Sequence, residues 1–266
     1  MPSEIDPKEA GWRHMLMEGE RAPRNARHVF RLLPANPRCK LCNAPFKGWG
    51  GSLMRMIGRP QSTKNPRYCE PCEFQEPGGA EVEISMLFAD IRGSTSIAEK
   101  LSPAEFSRLI ANFYEVATTV LIQADALIDR LVGDEVIGLF IPGFAGSTHS
   151  ARAIEAARAL LSRLGYDTAG TDSLPVGIGI HTGLAFVGVV QGGVDKVSDF
   201  TALGDNVNIA ARLASSAAAG EILVSEAALE ASGIDPGTSE YRKLSLKGKS
   251  EPIGVYVIHL QRKQDA

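Results

Sequence analysis

The chain has 266 residues, of which 44% are hydrophobic and 22% charged, and its formal net charge is −3. This composition excludes disordered, collagen-like and disulfide-dense proteins and is typical of a folded globular protein. The polar N-terminus lacks the apolar segment of a signal peptide, and no apolar run reaches the ~18–20 residues of a membrane span. We therefore expect a soluble cytoplasmic protein that does not enter a membrane.

Charge and cysteine are unevenly distributed along the chain. Residues 1–75 contain 13 Lys and Arg against 7 Asp and Glu, whereas the remainder contains 15 against 24. All four cysteines and both tryptophans also lie in the first 75 residues. We predict a basic N-terminal unit over residues 1–76, a linker rich in Pro and Gly over 77–81, a second unit over 82–260 and a polar tail over 261–266.

The cysteines of the N-terminal unit predict a metal site. Cys39 and Cys42 form one Cys-x₂-Cys pair, and Cys69 and Cys72 form another. Two such pairs supply the four thiolates of a tetrahedral site. Disulfides are not expected in a chain without an export signal. Zn²⁺ is the favoured occupant and an iron–sulfur cluster is the alternative.

Basic residues surround the cysteines, and their role is left open by the sequence. We expect four of them to offset the thiolate charge: Arg38, Lys40, Lys47 and Arg67. A structural module with a solvated basic face is the favoured interpretation, and a contact with nucleic acid is the alternative. The Arg-rich segment 21–31 is interpreted as an amphipathic or partner-binding helix.

Beyond residue 80 the pattern alternates between strands and helices. Ser102 and Glu105 form a capping box with Pro103 between them, Gly183 is interpreted as a hairpin turn, and Asp205 as a helix N-cap. The predicted elements are a strand at 82–89, a helix from 103 to about 122, strands at 126–131 and 136–141, a helix at 151–164, strands at 176–182, 184–190 and 200–203, a helix at 206–218, a strand at 221–224, a helix at 226–231, and strands at 241–246 and 253–258. This order predicts an α+β fold in which helices pack on a mixed β-sheet.

Three segments of the second unit carry chemically useful side chains. Asp90 and Asp134 each lie where a predicted strand ends, and two carboxylates at neighbouring strand ends can hold Mg²⁺. Each acid taken alone is more often a turn residue, and Arg92 is consistent with either a turn residue or a phosphate contact. Asn208 and Arg212 are four residues apart on a helix and share a face that suits an anionic ligand and a sugar.

These ordered segments resemble the catalytic domain of the class III nucleotidyl cyclases. The matching pieces are Phe88 to Thr95, Leu131 to Glu135, Gly179 to Gly183, Leu203 to Leu213 and Leu246 to Lys249. The resemblance covers residues 83–258 and implies the fold of that family, a mixed sheet with a ferredoxin-like core. It does not cover residues 1–80.

The resemblance also implies a role for individual residues. Asp90, Asp134 and the carbonyl of Ile91 would hold two Mg²⁺ or Mn²⁺ ions. Asn208 would orient the ribose and Arg212 would stabilise the α-phosphate. Lys247 would contact the terminal phosphates, with Lys249 as a close alternative.

The base is expected to be recognised by Arg130 and Thr201. Threonine fits the subgroup of the family that accepts a hydrogen bond from the adenine amino group. Arg130 departs from the family's lysine, because its planar fork also suits the acceptor edge of guanine. The resemblance therefore implies an adenylyl cyclase, with a guanylyl or low-selectivity cyclase as the alternative.

The implied reaction converts ATP to 3′,5′-cyclic AMP and pyrophosphate. In the family the metal-binding carboxylates act with one subunit, and the base, ribose and α-phosphate contacts come from the other. A head-to-tail homodimer with two composite sites is therefore expected. A nucleotide-binding sensor or adaptor with little turnover is the alternative of a different functional class.

Overall fold

A computed structural model describes residues 6–19, 21–33, 37–63, 66–73, 77–168, 173–192 and 197–260. The helices are α1 (Pro7–Met17), α2 (Arg21–Leu32), α3 (Gly48–Met56), α4 (Ser94–Ala98), α5 (Pro103–Gln123), α6 (Pro142–Ala145), α7 (His149–Arg163), α8 (Asp205–Ser216) and α9 (Glu226–Ser232). The strands are β1 (Gly78–Ile91), β2 (Leu127–Val132), β3 (Glu135–Phe140), β4 (Val176–Gly192), β5 (Val197–Leu203), β6 (Ile222–Ser225), β7 (Glu240–Leu244) and β8 (Ile253–Ile258). The predicted tail at residues 261–266 lies outside the described residues.

The strands form one mixed sheet in the order β2-β3-β1-β4-β6-β8-β7, and β5 pairs with the second half of β4. Strands β1 to β4, with α5 and α7 between them, follow a βαββαβ path. Their order, β4-β1-β3-β2 with antiparallel neighbours, is that of a ferredoxin-like core. The predicted α+β fold is confirmed.

One face of the sheet is covered by α5, α7 and α9. The predicted capping box begins α5: the Ser102 hydroxyl accepts from the Glu105 amide, and the Glu105 carboxylate accepts from the Ser102 amide. Phe113, Ala117 and Leu121 then repeat at helical spacing and are buried against the sheet. The periodic apolar residues of the sequence thus define this layer.

The opposite face is covered by α1, α8 and the cysteine-containing segment. Leu16, Phe46, Met54 and Tyr68 are buried in the same hydrophobic cluster as the β1 and β4 side chains. The N-terminal segment therefore completes its small core with side chains of the sheet. This shared core explains how a segment poor in apolar residues is held in place.

Arg27 connects this segment to the sheet. Its guanidinium is buried and donates to the carbonyls of Leu41, Asp125 and Ala126, the last two at 3.2 and 3.0 Å. Burial lowers the pKa of Arg27, because a charged group loses hydration in the interior. Hydrogen bonds to three carbonyls compensate for that loss and join α2, the first cysteine pair and the α5–β2 loop.

The structure corrects several element predictions. Residues 176–192 form one continuous strand and not a hairpin, because Gly183 is extended and allows the side chain of Asn206 to approach. Gly78 to Glu81 of the predicted linker pair with β4 as part of β1. Helix α3 spans a Gly-rich segment for which no element was predicted, and its Gly51 packs directly on the backbone of Phe46. The division of the chain into two units stays a prediction.

Candidate active site

The two candidate metal-binding acids lie at the same end of the sheet. In the β1–β3 register Asp90 is opposite Glu135, and the amide of Ile91 donates to the Asp134 carbonyl at 3.2 Å. Gly133 has a φ of 61°, which allows the tight β2–β3 turn that brings Asp134 to this end. Asp134 therefore lies beside Asp90 and Ile91, although the two sequence motifs that supply them are far apart in the chain.

The electrostatics of this end favour a cation. Burial and the charge of Asp134 raise the pKa of the Glu135 carboxyl, and burial together with Asp134 raises the pKa of the Tyr114 phenol. Arg92 forms an ion pair with Asp90 and donates to the Ser215 carbonyl at 2.7 Å. Carboxylate and carbonyl oxygens are the ligands that Mg²⁺ prefers, so this set of donors fits a divalent ion.

Helix α8 presents the two other candidate residues. Gly204, with a φ of 139°, precedes the helix and occupies the N-cap position, which corrects the prediction that Asp205 is the cap. Asp205 instead forms an ion pair with Lys249. Asn208 is exposed and Arg212 half-buried, and neither side chain hydrogen-bonds another residue of the described part of the chain. Both are thus available to a ligand.

The β7–β8 loop lies beside Arg212. A Cβ atom added to Gly248 would lie 3.5 Å from Nη2 of Arg212, so the loop approaches the guanidinium closely. Lys249 is engaged by Asp205, whereas Lys247 is exposed and has no ion pair among the residues that the structure describes. This difference favours Lys247 over Lys249 as the residue that is free to contact a phosphate.

The two candidate base-recognition residues are brought together although 71 positions separate them. Nη2 of Arg130 donates to Oγ1 of Thr201 at 3.4 Å. Thr201 is buried and donates its own proton to Oδ2 of Asp129 at 3.2 Å. The side chain of Arg130 is 47% exposed to solvent. The hydroxyl of Thr201 is therefore oriented as an acceptor next to an accessible cation.

Residues 79–259 match the family model described as the adenylate and guanylate cyclase catalytic domain. The chain belongs to this cyclase family. The predicted resemblance is confirmed, and the match begins four residues before the predicted start of the resemblance at residue 83.

Individual relatives agree with this assignment. The cyclase domain is 30% identical over 193 residues to an adenylate cyclase of Anabaena cylindrica, covering 69% of this chain and 38% of that protein. It is 27% identical to a terminal-differentiation-specific adenylate cyclase of Dictyostelium discoideum, covering 71% of this chain and 10% of that protein. The chain thus spans well under half the length of these curated relatives.

Solved structures give the same fold. The guanylyl cyclase Cya2 superposes with a TM-score of 0.61 and 28% identity, covering 68% of this chain and 93% of that one. The adenylyl cyclase CyaB from P. aeruginosa superposes with a TM-score of 0.58 and 27% identity, covering 71% of this chain and 100% of that one. The similar structures thus include both an adenylyl and a guanylyl cyclase.

His181 of the cyclase domain has a structural role. Its Nδ1 lies 2.8 Å from the Ser225 hydroxyl and its Nε2 lies 2.9 Å from Oδ1 of Asn206. Burial lowers its pKa, so the ring is held neutral. Asn206 also donates to the Leu184 carbonyl, so this network fixes the start of α8 against β4.

The four cysteines form a cluster that fits a metal-binding module. Their sulfur atoms all lie within 4.8 Å of one another, and those of Cys42 and Cys69 are 3.6 Å apart. Tetrahedral Zn–S bonds of ~2.3 Å require sulfurs about 3.8 Å apart, whereas a disulfide requires ~2.05 Å. Burial opposes ionisation of Cys39, but hydrogen bonds from the other thiols outweigh burial and hold its pKa well below the usual value.

The basic residues around this cluster act differently from the prediction. Nη1 of Arg59 lies 3.9 Å from the sulfur of Cys69 and 4.0 Å from the sulfur of Cys72. Arg38 instead donates to backbone carbonyls, among them those of Phe30 and Asn43. Lys40, whose side chain is only 5% exposed, points to the carboxylates of β2 and β5. Sequence reasoning missed the contacts of Lys40 with Asp129 and Asp199 because they join positions that are distant in sequence.

No helix among the described residues is long and apolar enough to cross a membrane.

Proposed function

We propose that the chain is an adenylyl cyclase that converts ATP to 3′,5′-cyclic AMP and pyrophosphate in composite sites of a homodimer. One observation carries the proposal: a single chain of the cyclase family has both halves of the site. The carboxylates of Asp90 and Asp134 form one half, and Thr201, Asn208 and Arg212 form the other. Because both halves are present, no second type of subunit is required.

The mechanism relies on binding and charge more than on covalent chemistry. Two divalent ions, when bound by Asp90, Asp134 and the Ile91 carbonyl, would lower the pKa of the ribose 3′-hydroxyl and stabilise charge on the phosphate oxygens. Asn208 orients the ribose so that its 3′-oxygen faces the α-phosphorus. Arg212 supplies positive charge where the transition state becomes more negative, and Lys247 holds the terminal phosphates.

The orientation of Thr201 supports ATP as the substrate. Its proton is directed to Asp129, and its oxygen, which accepts from Arg130 at 3.4 Å, has a second lone pair that can accept a hydrogen bond from the base. Position 6 of adenine carries an amino donor, whereas position 6 of guanine carries a carbonyl acceptor. A buried acceptor discriminates against a ligand that places a second acceptor opposite it, because no hydrogen bond can then form between the two groups.

Arg130 favours a second candidate, a cyclase that also accepts GTP. Its fork lies next to Thr201 and is half-exposed, and it can donate two parallel bonds to an acceptor edge. The similarity to the guanylyl cyclase Cya2 is consistent with this candidate. We propose ATP as the preferred substrate and GTP as the slower one.

One assay decides between these functions. The purified chain is incubated with ATP or GTP and either Mn²⁺ or Mg²⁺, and the cyclic product is measured beside Asp90→Ala and Arg212→Ala. We expect cyclic AMP from the wild type and a loss of at least about 100-fold in each variant, since each removes charge stabilisation of the transition state. A folded wild type that forms no cyclic product from either nucleotide contradicts the proposal.

For the cysteine cluster we propose one Zn²⁺ per chain, with an iron–sulfur cluster as the alternative. The four-thiol set and the tetrahedral spacing support this proposal. Metal analysis of the same sample is expected to find about one equivalent of zinc per chain. Less than half an equivalent of zinc and iron together contradicts a resident metal.

A further inference from the structure

Lys40 contacts residues outside the cysteine module, which is the segment from Cys39 to Cys72. It lies between Cys39 and Cys42, yet its ammonium group donates to the carbonyl of Asp129 and to Oδ1 of Asp199, both at 3.0 Å, and to the carbonyl of Phe200. It also lies 3.4 Å from Oδ1 of Asp129. A buried ammonium group with this many acceptors holds β2 and β5 at a fixed separation.

Two of the three residues that accept from Lys40 directly precede the base-recognition pair. Asp129 precedes Arg130 on β2, and Phe200 precedes Thr201 on β5. Oδ2 of Asp129 accepts from Thr201 at 3.2 Å and lies 3.6 Å from Nε of Arg130. The charge of Asp129 is therefore shared among an ammonium, a hydroxyl and a guanidinium.

A second set of contacts from the same module holds β5. Nη1 of Arg67 is 2.6 Å from Oδ2 of Asp199, and the Tyr68 hydroxyl donates to Oδ1 of Asp199 at 3.2 Å. The amide of Phe200 donates to the same tyrosine oxygen at 2.9 Å. The two residues that directly precede Cys69 thus fix the strand that carries Thr201.

The module also forms a wall of the space next to Arg130. A cavity of about 740 Å³ is lined by Lys40 and Arg67 on one side and by Arg130 and Tyr114 on the other. The cavity is consequently shaped by the cysteine module as well as by the cyclase domain.

We propose that Lys40 is a positioning residue of the nucleotide base site. By sharing the charge of Asp129 it weakens the ion pair between Asp129 and Arg130, so that the Arg130 guanidinium is more available to the base. It also holds Asp129 where Oδ2 accepts from Thr201, which leaves the Thr201 oxygen as an acceptor. Without Lys40, the Asp129 carboxylate would hold the Arg130 guanidinium, already 3.6 Å away, more tightly. The cysteine module thereby becomes part of base recognition, an inference that rests on the proposed nucleotide-binding function.

The test compares ligands with and without a base. Dissociation constants are measured for 3′-deoxy-ATP, 3′-deoxy-GTP and inorganic tripolyphosphate, none of which can cyclise. For Lys40→Met we expect about tenfold weaker binding of 3′-deoxy-ATP and a smaller preference for it over 3′-deoxy-GTP. Binding of tripolyphosphate should stay within about twofold, because Lys247 and Arg212 are remote from this change.

Matched variants separate positioning from general damage. Lys40→Arg keeps the charge and should recover most of the affinity for 3′-deoxy-ATP. Lys47→Met removes an exposed lysine of the same module and should leave all three constants unchanged. In an Asp129→Asn background, Lys40→Met should add at most about a twofold change, because its effect passes through Asp129.

Several outcomes would overturn the proposal. Equal weakening of tripolyphosphate and 3′-deoxy-ATP would make Lys40 a general structural residue, and unchanged constants would remove its role altogether. Additive effects of Lys40→Met and Asp129→Asn would exclude action through Asp129. A wild type that binds these nucleotides but forms no cyclic product contradicts the cyclase proposal alone, and one that binds neither nucleotide overturns both.

Discussion

Two histidines are kept neutral inside the cyclase domain. Nδ1 of His149 lies 2.8 Å from the Ser85 hydroxyl, and His181 is held between Ser225 and Asn206. Burial is the main cause that lowers the pKa of both rings from their usual 6.5. Neither ring has a carboxylate hydrogen-bonded to it that would stabilise the protonated form.

These two histidines predict a loss of stability in weak acid. The unfolded chain binds protons at both positions below about pH 6.5, whereas the folded chain resists doing so. The free energy of unfolding should therefore have its full value above pH 6.5. It should fall as the pH decreases below that value. Urea unfolding at pH 7.5 and pH 5.5 measures the difference.

Substitutions identify the source of the effect. His149→Gln and His181→Gln should each reduce stability at pH 7.5 by about 1–2 kcal/mol and also flatten the pH dependence. His14→Gln changes an exposed residue of α1 and should leave the pH dependence as it is. An unchanged slope in both buried variants would show that the histidines do not control acid stability.

At the scale of elements, close packing between α8 and β4 positions half of the proposed active site. Gly179 lies directly under the helix, and an added Cβ would come within 2.2 Å of the Ala214 amide and 2.6 Å of the Ala210 carbonyl. Only glycine permits this approach. The helix that carries Asn208 and Arg212 is thus set by the absence of a side chain on β4.

Gly179→Ala should therefore push α8 off the sheet. We expect a loss of about 2–3 kcal/mol in the free energy of unfolding, because backbone atoms cannot yield as a flexible side chain can. Cyclase activity should fall further than stability alone explains, since Arg212 moves with the helix. Gly192→Ala, in the same strand but with no atom within 4 Å of the added Cβ, is the control. Similar unfolding curves for the two variants would contradict this account.

Two elements of the cyclase domain show what the sequence can and cannot predict. The start of α5 was predicted correctly, because Ser102 and Glu105 specify it through contacts between residues only three positions apart. The prediction of a turn at Gly183 was wrong, because a glycine within a strand indicates either a turn or the close approach of another group. Here the approaching group is the side chain of Asn206, which is distant in sequence. The contacts of Lys40 with the sheet were missed for the same reason, since its partners are 89 and 159 residues away.

At the scale of the molecule, the cysteine module and the cyclase domain share one hydrophobic cluster. Two further residues of the N-terminal unit, Arg27 and Lys40, are buried and bind the cyclase domain. Loss of the Zn²⁺ that we propose for the cysteine cluster would therefore disturb the cyclase domain as well, because Lys40 lies between Cys39 and Cys42. The charge asymmetry of the sequence is explained in part by these contacts, in which basic residues of the N-terminal unit meet Asp125, Asp129 and Asp199.

The proposed homodimer predicts that two inactive variants restore each other. Asp90→Ala removes the metal-binding half of the site and Arg212→Ala removes the α-phosphate half. In a two-fold symmetric heterodimer of these variants, one site combines both defects and the other is intact. Random mixing makes half of the dimers heterodimers, so the mixture should recover roughly a quarter of wild-type activity.

The control for this experiment uses two variants of the same half. A mixture of Asp90→Ala and Asp134→Ala leaves a defective carboxylate in every site, whichever chains pair, and should stay inactive. Size-exclusion chromatography with light scattering verifies that both mixtures are dimeric. If the Asp90→Ala and Arg212→Ala mixture is as inactive as its components, while the chains exchange partners, each site must be built from one chain. Because Asp90 and Arg212 lie on different elements of the same fold, this experiment separates the two ways of assembling them.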